Sequence, residues 1–414
     1  GELSCFGENV HLVSNRNDLA TTLTHWTQSK PNTPIKAESG CKIKYKNEPE
    51  SESELPLLTS FKEQTRAFLK VQDGCDGYCS YCIVPKTRPV VRSKPVETAL
   101  LEAQALVKSG HREIVVSGVF LGAYGRESVR RKNWPDHCND NLADLLDRMA
   151  QIPGLARIRL SSLEPADVTE RLLDTFCKHR NIMPHLHLAL QSGSDAVLKR
   201  MCRQYRTSEF RKKIESIKRR LDRPAITTDI IVGFPGETDA DFEQTLDLAR
   251  SAGFAKMHVF TFSARRGTPA AGMQDGAPPS QGDIVERRVC RRRSEILREL
   301  DIELGLRYRR QFIGETAEIL IEDRPAFGVR RSAARTTHHA ARVEGRSERY
   351  FKVLIESEAR RSSVVGGHTT YDIRHTTNKI VTVRLVENHQ RGMVGTLLCC
   401  GSTGSPAGGQ GSPS

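Results

Sequence analysis

Three cysteines lie within eight residues of one another and could serve together as ligands of a metal centre. Cys75, Cys79 and Cys82 form the spacing C-x3-C-x2-C. Thiolates are the protein ligands that iron–sulfur clusters prefer, and so short a loop can direct three sulfurs at three irons of one cubane. The fourth iron then stays open to a substrate. A structural zinc site is the alternative, but it needs a fourth ligand, and no His or Cys occurs within 25 residues after Cys82.

The segments around this loop alternate between short β-branched runs and helical periods. Six strands are predicted, at Ala67–Gln72, Glu113–Ser117, Arg157–Ser161, His185–Leu190, Ala225–Val232 and Met257–Phe262. The periodic segments between them are long enough to serve as crossover helices of a parallel sheet. Six βα units in about 200 residues predict a partial (β/α)6 barrel, in which reactive groups gather at the carboxyl ends of the strands.

The overall composition indicates a basic protein of several domains. The 414 residues carry 63 Lys or Arg against 50 Asp or Glu, a formal net charge of +13, which favours a polyanionic partner such as nucleic acid. The cysteines number eleven, and an odd number excludes a complete disulfide scaffold. No secretory signal is visible, so we expect a cytoplasmic protein. No apolar stretch reaches the ~20 residues of a membrane span.

The order of motifs resembles the radical S-adenosylmethionine (SAM) methylthiotransferase family. The resemblance extends from about Phe61 to Met273 and rests on the cysteine loop and on Glu113–Val119, Leu121–Gly125, Ser161–Pro165, His187–Asp195, Arg200–Tyr205, Asp229–Thr238 and Phe260–Ser263. Leu121–Gly125 and Ser161–Pro165 look most like the branch that acts on threonylcarbamoyladenosine in tRNA. Its relatives modify isopentenyladenosine in tRNA or an aspartate of a ribosomal protein.

This resemblance implies a [4Fe–4S] cluster on the three cysteines, with SAM on its open iron. The residues that would contact SAM are Tyr81, Gly118, Glu164, Gln191 and Gly233. The structural alternatives are turn glycines, a carboxylate at a helix start and a satisfied buried amide. The implied reaction adds a methylthio group to carbon 2 of threonylcarbamoyladenosine next to the anticodon. The implied partners are tRNA and an electron donor such as flavodoxin or ferredoxin, with neither DNA nor a membrane.

We expect an α/β fold with a small all-β module at its C-terminal end. Residues 1–60 are expected to be the remnant of an N-terminal methylthiotransferase domain plus a linker, 61–280 the partial barrel, 281–312 a connecting helix, 313–400 the all-β module and 401–414 a disordered tail. The module weakly resembles the TRAM RNA-binding domain. Between Arg324 and Arg361, ten Lys or Arg stand against four Glu, which predicts a phosphate-contacting insertion; a solvated insertion is the alternative.

Two departures from the family pattern bear on activity. Pro89 replaces the usual glycine and removes a backbone donor beside the cluster loop. The family's N-terminal domain carries three cysteines for an auxiliary cluster, whereas only Cys5 and Cys41 precede the barrel here, so we expect a truncated domain and one cluster. The second hypothesis is therefore an RNA-binding remnant that keeps the SAM cluster without thiolation. Cys177 and Cys202 lie in helical segments and are expected to be buried.

Overall fold

The structure is a computed structural model that describes residues 55, 57, 58, 64–134, 140–273, 284–322, 342–356 and 378–398. The chain divides into two units, Gly1–Ser53 and Glu54–Ser414, and every described residue belongs to the second. The expected N-terminal remnant, most of the Arg-rich insertion and the tail lie outside the described residues, as do Cys5, Cys41, Cys138, Cys399 and Cys400. No helix among the described residues is both long and apolar enough to cross a membrane.

Six parallel βα units form the partial barrel, as predicted. Its first sheet has the order β2-β1-β3-β4 and contains β1 (Arg66–Asp73), β2 (Arg92–Ser93), β3 (Glu113–Gly118) and β4 (Arg157–Leu160). The second sheet consists of β5 (Ser162–Leu163), β6 (His185–Leu188), β7 (Ala225–Val232) and β8 (Lys256–Thr261). Every pair is parallel except β1 with β2. The third predicted strand corresponds to β4, and β5 begins two residues later in the second sheet. A bridge from Ile158 to Ile182 continues the strand order across the break between the sheets.

Helices alternate with these strands along the chain, and the longer helices cover the outer face of the sheets. They are α1 (Val84–Thr87), α2 (Val96–Lys108), α3 (Asn141–Met149), α4 (Glu170–Lys178), α5 (Asp195–Arg200), α6 (Thr207–Arg220), α7 (Asp239–Ala252) and α8 (Pro269–Gly272). Four begin at a side chain that accepts a hydrogen bond from a backbone amide of the first turn: Asp140, Thr169, Ser194 and Thr238. Alternate strand residues point into the apolar core beneath the helices, among them Leu69, Ile114, Ile158, Leu186 and Ile230.

A long helix, α9 (Arg287–Arg310), leads to a closed barrel of five strands. These are β9 (Thr316–Ile321), β10 (Arg342–Ser347), β11 (Lys352–Glu356), β12 (Ile380–His389) and β13 (Gly392–Leu397), in the order β10-β11-β13-β12-β9. The predicted all-β module is confirmed, but the sequence did not predict β10 and β13. Each contains a glycine on which a Cβ would lie within 3 Å of a neighbouring strand, at Gly345 and Gly395. Glycine weakens a strand signal in the sequence, yet close packing requires it here.

Two expectations about cysteines are wrong. Cys177 and Cys202 are both exposed instead of buried. The Cys177 thiol points out of α4 and donates to the carbonyl oxygen of Arg220, 3.5 Å away. Cys202 follows the end of α5 with a left-handed φ of 55°, and its thiol lies 3.8 Å from the carbonyl oxygen of Arg200.

Candidate active site

The cysteine loop begins where β1 ends, at the carboxyl edge of the parallel sheet. Gly74 has a φ of +77°, and a Cβ there would lie 1.7 Å from the carbonyl oxygen of Val90, so this position requires glycine. The amide of Cys75 donates to the carbonyl oxygen of Arg88 at 2.9 Å. Because the loop uses this carbonyl and not the amide of residue 89, Pro89 leaves the contact intact.

Burial disfavours the charged form of two of the three thiols, those of Cys75 and Cys79. Burial, together with the two neighbouring thiols, raises the pKa of Cys75 to about 11. Burial also raises the pKa of Cys79, although a nearby guanidinium partly offsets the effect. Three soft thiol donors in one short loop fit an iron–sulfur group, whose positive charge stabilises bound thiolates.

Arg203 joins the cysteine loop to the strand ends. Its Nη1 donates to Sγ of Cys79 at 3.1 Å and lies 3.4 Å from the hydroxyl of Tyr81. Its Nη2 pairs with Oε1 of Glu164 at 2.6 Å. Burial acts to lower the pKa of Arg203, but Tyr205, Tyr81 and Glu164 outweigh it and raise that pKa well above its usual value. The sequence motif contains Arg203, but sequence reasoning gave it no role.

Glu164 is held on its other side by a second arginine. Nη2 of Arg131 lies 3.0 Å from Oε2 of Glu164 and 2.8 Å from Oδ1 of Asp167. Arg131 comes from the loop after β3, so two distant segments fix one buried carboxylate. The contacts of Glu164 are therefore ionic as well as helix-capping, since Glu164 also begins the short helix Pro165–Asp167.

The other proposed SAM residues lie at strand ends, in positions that backbone geometry explains in part. A Cβ on Gly118 would lie 2.9 Å from Cβ of Gln72, whose side-chain amide donates to the carbonyl oxygens of Asp73 and Gly74. Gln191 has a left-handed φ of 65° and joins β7 through its amide, which donates to the Asp229 carbonyl oxygen at 2.8 Å. Their contact with SAM stays a prediction.

Tyr81 and Gly233 complete the set. Tyr81 packs against a small apolar cluster that includes Val197 and Phe234, and burial raises the pKa of its hydroxyl. Gly233 has a φ of +73°, and a Cβ there would lie 2.2 Å from Sγ of Cys290 on α9. The glycine therefore lets the long helix approach the end of β7, and its contact with SAM also stays a prediction.

Comparison with known proteins places this geometry in a family context. Residues 69–249 match the Radical SAM superfamily. The chain is 40% identical over 264 residues to the threonylcarbamoyladenosine tRNA methylthiotransferase MtaB of Thermotoga maritima, covering 64% of this chain and 57% of that protein. It is 41% identical over 267 residues to the protein of the same name from Chlamydia pneumoniae, covering 64% and 58%.

A relative with a different named substrate is also similar. The tRNA-2-methylthio-N(6)-dimethylallyladenosine synthase of Desulfitobacterium hafniense is 35% identical over 308 residues, covering 74% of this chain and 63% of that protein. The chain thus spans about three fifths of the length of these relatives.

Proposed function

We propose, on the premise that residues 69–249 of this chain are a Radical SAM domain, that it acts in the methylthiolation of tRNA. The substrate we propose is N6-threonylcarbamoyladenosine next to the anticodon, modified at carbon 2. The observation that carries the proposal is the cysteine loop at the carboxyl end of β1, where Arg203 contacts both Cys79 and Glu164. The named activity of the two MtaB relatives supports this substrate.

The residues of the site have separate proposed tasks. Cys75, Cys79 and Cys82 would hold a [4Fe–4S] cluster, which with SAM supplies one-electron cleavage of the SAM sulfonium. Glu164, fixed by two arginines, would accept a hydrogen bond from a hydroxyl or amine of SAM. Tyr81, Gly118, Gln191 and Gly233 would enclose the rest of that ligand at the strand ends.

Positive charge on α9 supports an RNA substrate. Arg287, Arg291 and Arg298 are exposed and line a cavity of about 700 Å3 that also reaches Gly233 at the end of β7. None of the three makes an ion pair within the described part of the chain. Unpaired guanidinium groups beside a reaction centre suit the phosphates of a nucleic acid. The closed five-strand barrel that follows α9 is the second proposed RNA-binding element.

Two further features follow from this proposal. A one-electron reaction needs an external donor, for which we propose a small redox protein such as flavodoxin or ferredoxin. Modification of tRNA would place the chain in the cytoplasm. The relative that acts on dimethylallyladenosine makes an isopentenyl substrate the second candidate.

Comparison of modified nucleosides in total tRNA tests the proposal. We expect a strain without this gene to lose 2-methylthio-threonylcarbamoyladenosine and to accumulate threonylcarbamoyladenosine. Restoring the intact gene should recover the methylthio form, whereas a gene encoding Cys79→Ala should not. Unchanged methylthio-threonylcarbamoyladenosine after deletion would defeat the proposal, and loss of the isopentenyl-type product would favour the second candidate.

A further inference from the structure

The inner face of the partial barrel is polar, in contrast to its outer face. Residues that pair across neighbouring strands point to the same side of a sheet. His187 on β6 pairs with Thr227 on β7, and Asp229 pairs with His258 on β8. Ile230, the residue after Asp229 on β7, points to the opposite side and belongs to the apolar core beneath the helices. The four polar residues therefore face the interior of the barrel.

The five-strand barrel closes one end of this interior. The guanidinium of Arg157 donates to the carbonyl oxygens of Glu318 at 2.7 Å and Arg346 at 3.1 Å. The ring of Tyr350 lies 4.5 Å from that of His185, at the amino end of β6. A ligand would therefore approach the interior from the carboxyl ends of the strands, where the cysteine loop lies.

Three side chains meet above this floor, from two successive rungs of the sheet. Nε2 of His187 lies 3.2 Å from Oδ2 of Asp229, and its Nδ1 lies 2.9 Å from Oγ1 of Thr227. Oγ1 of Thr227 also lies 3.3 Å from Nε2 of His185, so this threonine links the two histidines of β6. One donor atom each from His187, Asp229 and His258 lie within 4.8 Å of one another. His187 thus lies between Thr227, its hydrogen-bond partner, and the carboxylate of Asp229.

Asp229 and His258 retain polar atoms for a ligand. Across the described residues, Oδ1 of Asp229 and the ring nitrogens of His258 make no hydrogen bond, and the Asp229 side chain is 29% exposed. Phe260 lies one layer nearer the strand ends on the same face and is 52% exposed. The backbone carbonyl of Asp229 accepts from the amide of Gln191, so this layer lies directly beneath the proposed SAM site.

We propose that the inner layer formed by His187, Asp229 and His258, together with Phe260 above it, binds the N6 substituent of the substrate nucleoside. Asp229 accepts a hydrogen bond from an NH or hydroxyl of the substituent, and His258 donates to its carboxylate. Phe260 stacks on the purine, as aromatic side chains do on unpaired bases. The inference rests on the proposed function, because the threonylcarbamoyl group supplies the NH, hydroxyl and carboxylate.

The same layer discriminates against an isopentenyl group. A hydrocarbon substituent would exclude water from Asp229 and His258 without replacing their hydrogen bonds. Sites built to hydrogen-bond a substrate can reject an analogue without those groups by up to ~10^4. The polar interior therefore favours the threonylcarbamoyl nucleoside over the isopentenyl nucleoside, the two candidate substrates that the relatives suggest.

Binding of anticodon stem-loop RNAs to the reconstituted full chain tests this inference without requiring turnover. The RNAs differ only at the purine, which carries a threonylcarbamoyl group, an isopentenyl group or no substituent. We expect the first RNA to bind at least tenfold more tightly than the second. His258→Phe should reduce that ratio about tenfold, the effect of losing one hydrogen bond to a charged group. Asp229→Asn should also reduce it.

The control is His389→Phe, which removes an exposed histidine beside Glu387 on β12 and should leave the ratio unchanged. Equal binding of the two modified RNAs, or an unchanged ratio in His258→Phe, would overturn the inference while the proposed function stands. Failure of the wild-type chain to bind any of the RNAs would remove the proposed function itself. The wild-type chain could instead bind a divalent ion in addition to iron and lose that ion in His258→Phe. His187, Asp229 and His258 would then be a metal site, and recognition of the N6 substituent would be overturned.

Discussion

Single residues determine whether the cysteine loop can bind the proposed iron–sulfur cluster. Cys79 is the thiol most closely tied to the rest of the site, because Arg203 donates to its Sγ and also binds Glu164. Cys202, by contrast, is exposed and takes no part in this network. The two cysteines offer a matched pair for mutation.

Cys79→Ala should abolish cluster binding without unfolding the barrel. Two remaining thiols cannot complete a three-cysteine site, so we expect iron per chain to fall from about four to near zero after anaerobic reconstitution. SAM cleavage should disappear with it. Cys202→Ala should retain both properties, and normal iron content in Cys79→Ala would contradict the assignment.

Arg203→Met should destabilise the fold as well as the site. It leaves Glu164 buried with only Arg131 as its partner, and breaking a buried ion pair costs about 3 kcal/mol. Urea unfolding would measure the loss. Adding Glu164→Gln to this variant should recover part of the lost free energy of unfolding, because the uncompensated charge is removed. A loss below about 0.5 kcal/mol for Arg203→Met alone would show that the ion pair does not stabilise the fold.

At the scale of elements, α9 both supports the site and presents positive charge. Cys290 of this helix packs against Gly233, while Arg287, Arg291 and Arg298 line the neighbouring cavity. One helix thus connects the end of β7 to the candidate RNA surface. The buried side of α9 packs against the core of the partial barrel, and the exposed arginines are available for a ligand.

Replacing Arg287, Arg291 and Arg298 together by Gln should weaken tRNA binding in a salt-dependent way. Each phosphate contact contributes about 0.9 to the slope of log K against log salt, so the slope should fall by about 2 to 3. Fluorescence anisotropy at several salt concentrations measures it. Arg307→Gln on the same helix removes a charge already paired with Glu303 and serves as control. Equal salt slopes in the triple variant and in Arg307→Gln would exclude the cavity as a phosphate site.

At the scale of the whole molecule, the two barrels share buried polar contacts. Arg159 donates to the carbonyl oxygens of Ser347 and Glu348 at 2.7 and 2.9 Å and pairs with Glu113. His185 lies at the same junction, buried beside Tyr350. The five-strand barrel therefore completes the floor of the partial barrel.

This junction should make stability depend on pH. Burial and the nearby Arg159 lower the pKa of His185 well below its usual value, so the folded state keeps the ring neutral. The unfolded chain binds a proton as pH falls through about 6.5, and stability should therefore decrease below that pH, by at most about 1.4 kcal/mol per unit. His185→Phe should remove this contribution, and His389→Phe should not. Identical pH profiles for wild type and His185→Phe in urea unfolding would contradict the prediction.

The sequence by itself determined the cysteine loop, the six-unit α/β barrel and the all-β module. Local spacing and strand periodicity carry this information, because ligand spacing and alternation are properties of consecutive residues. The sequence missed β10, β13 and the exposure of Cys177 and Cys202, since glycine packing and the direction of a helix face depend on neighbouring elements.

Only the tertiary structure decided which distant residues meet. Arg203 and Arg131 reach Glu164 from segments far apart in the chain, and no spacing rule connects them. The layer of His187, Asp229 and His258 likewise exists only because three parallel strands are in register. Pairing between strands is set by the closure of the whole sheet, so chemistry that depends on it becomes visible only in the folded chain.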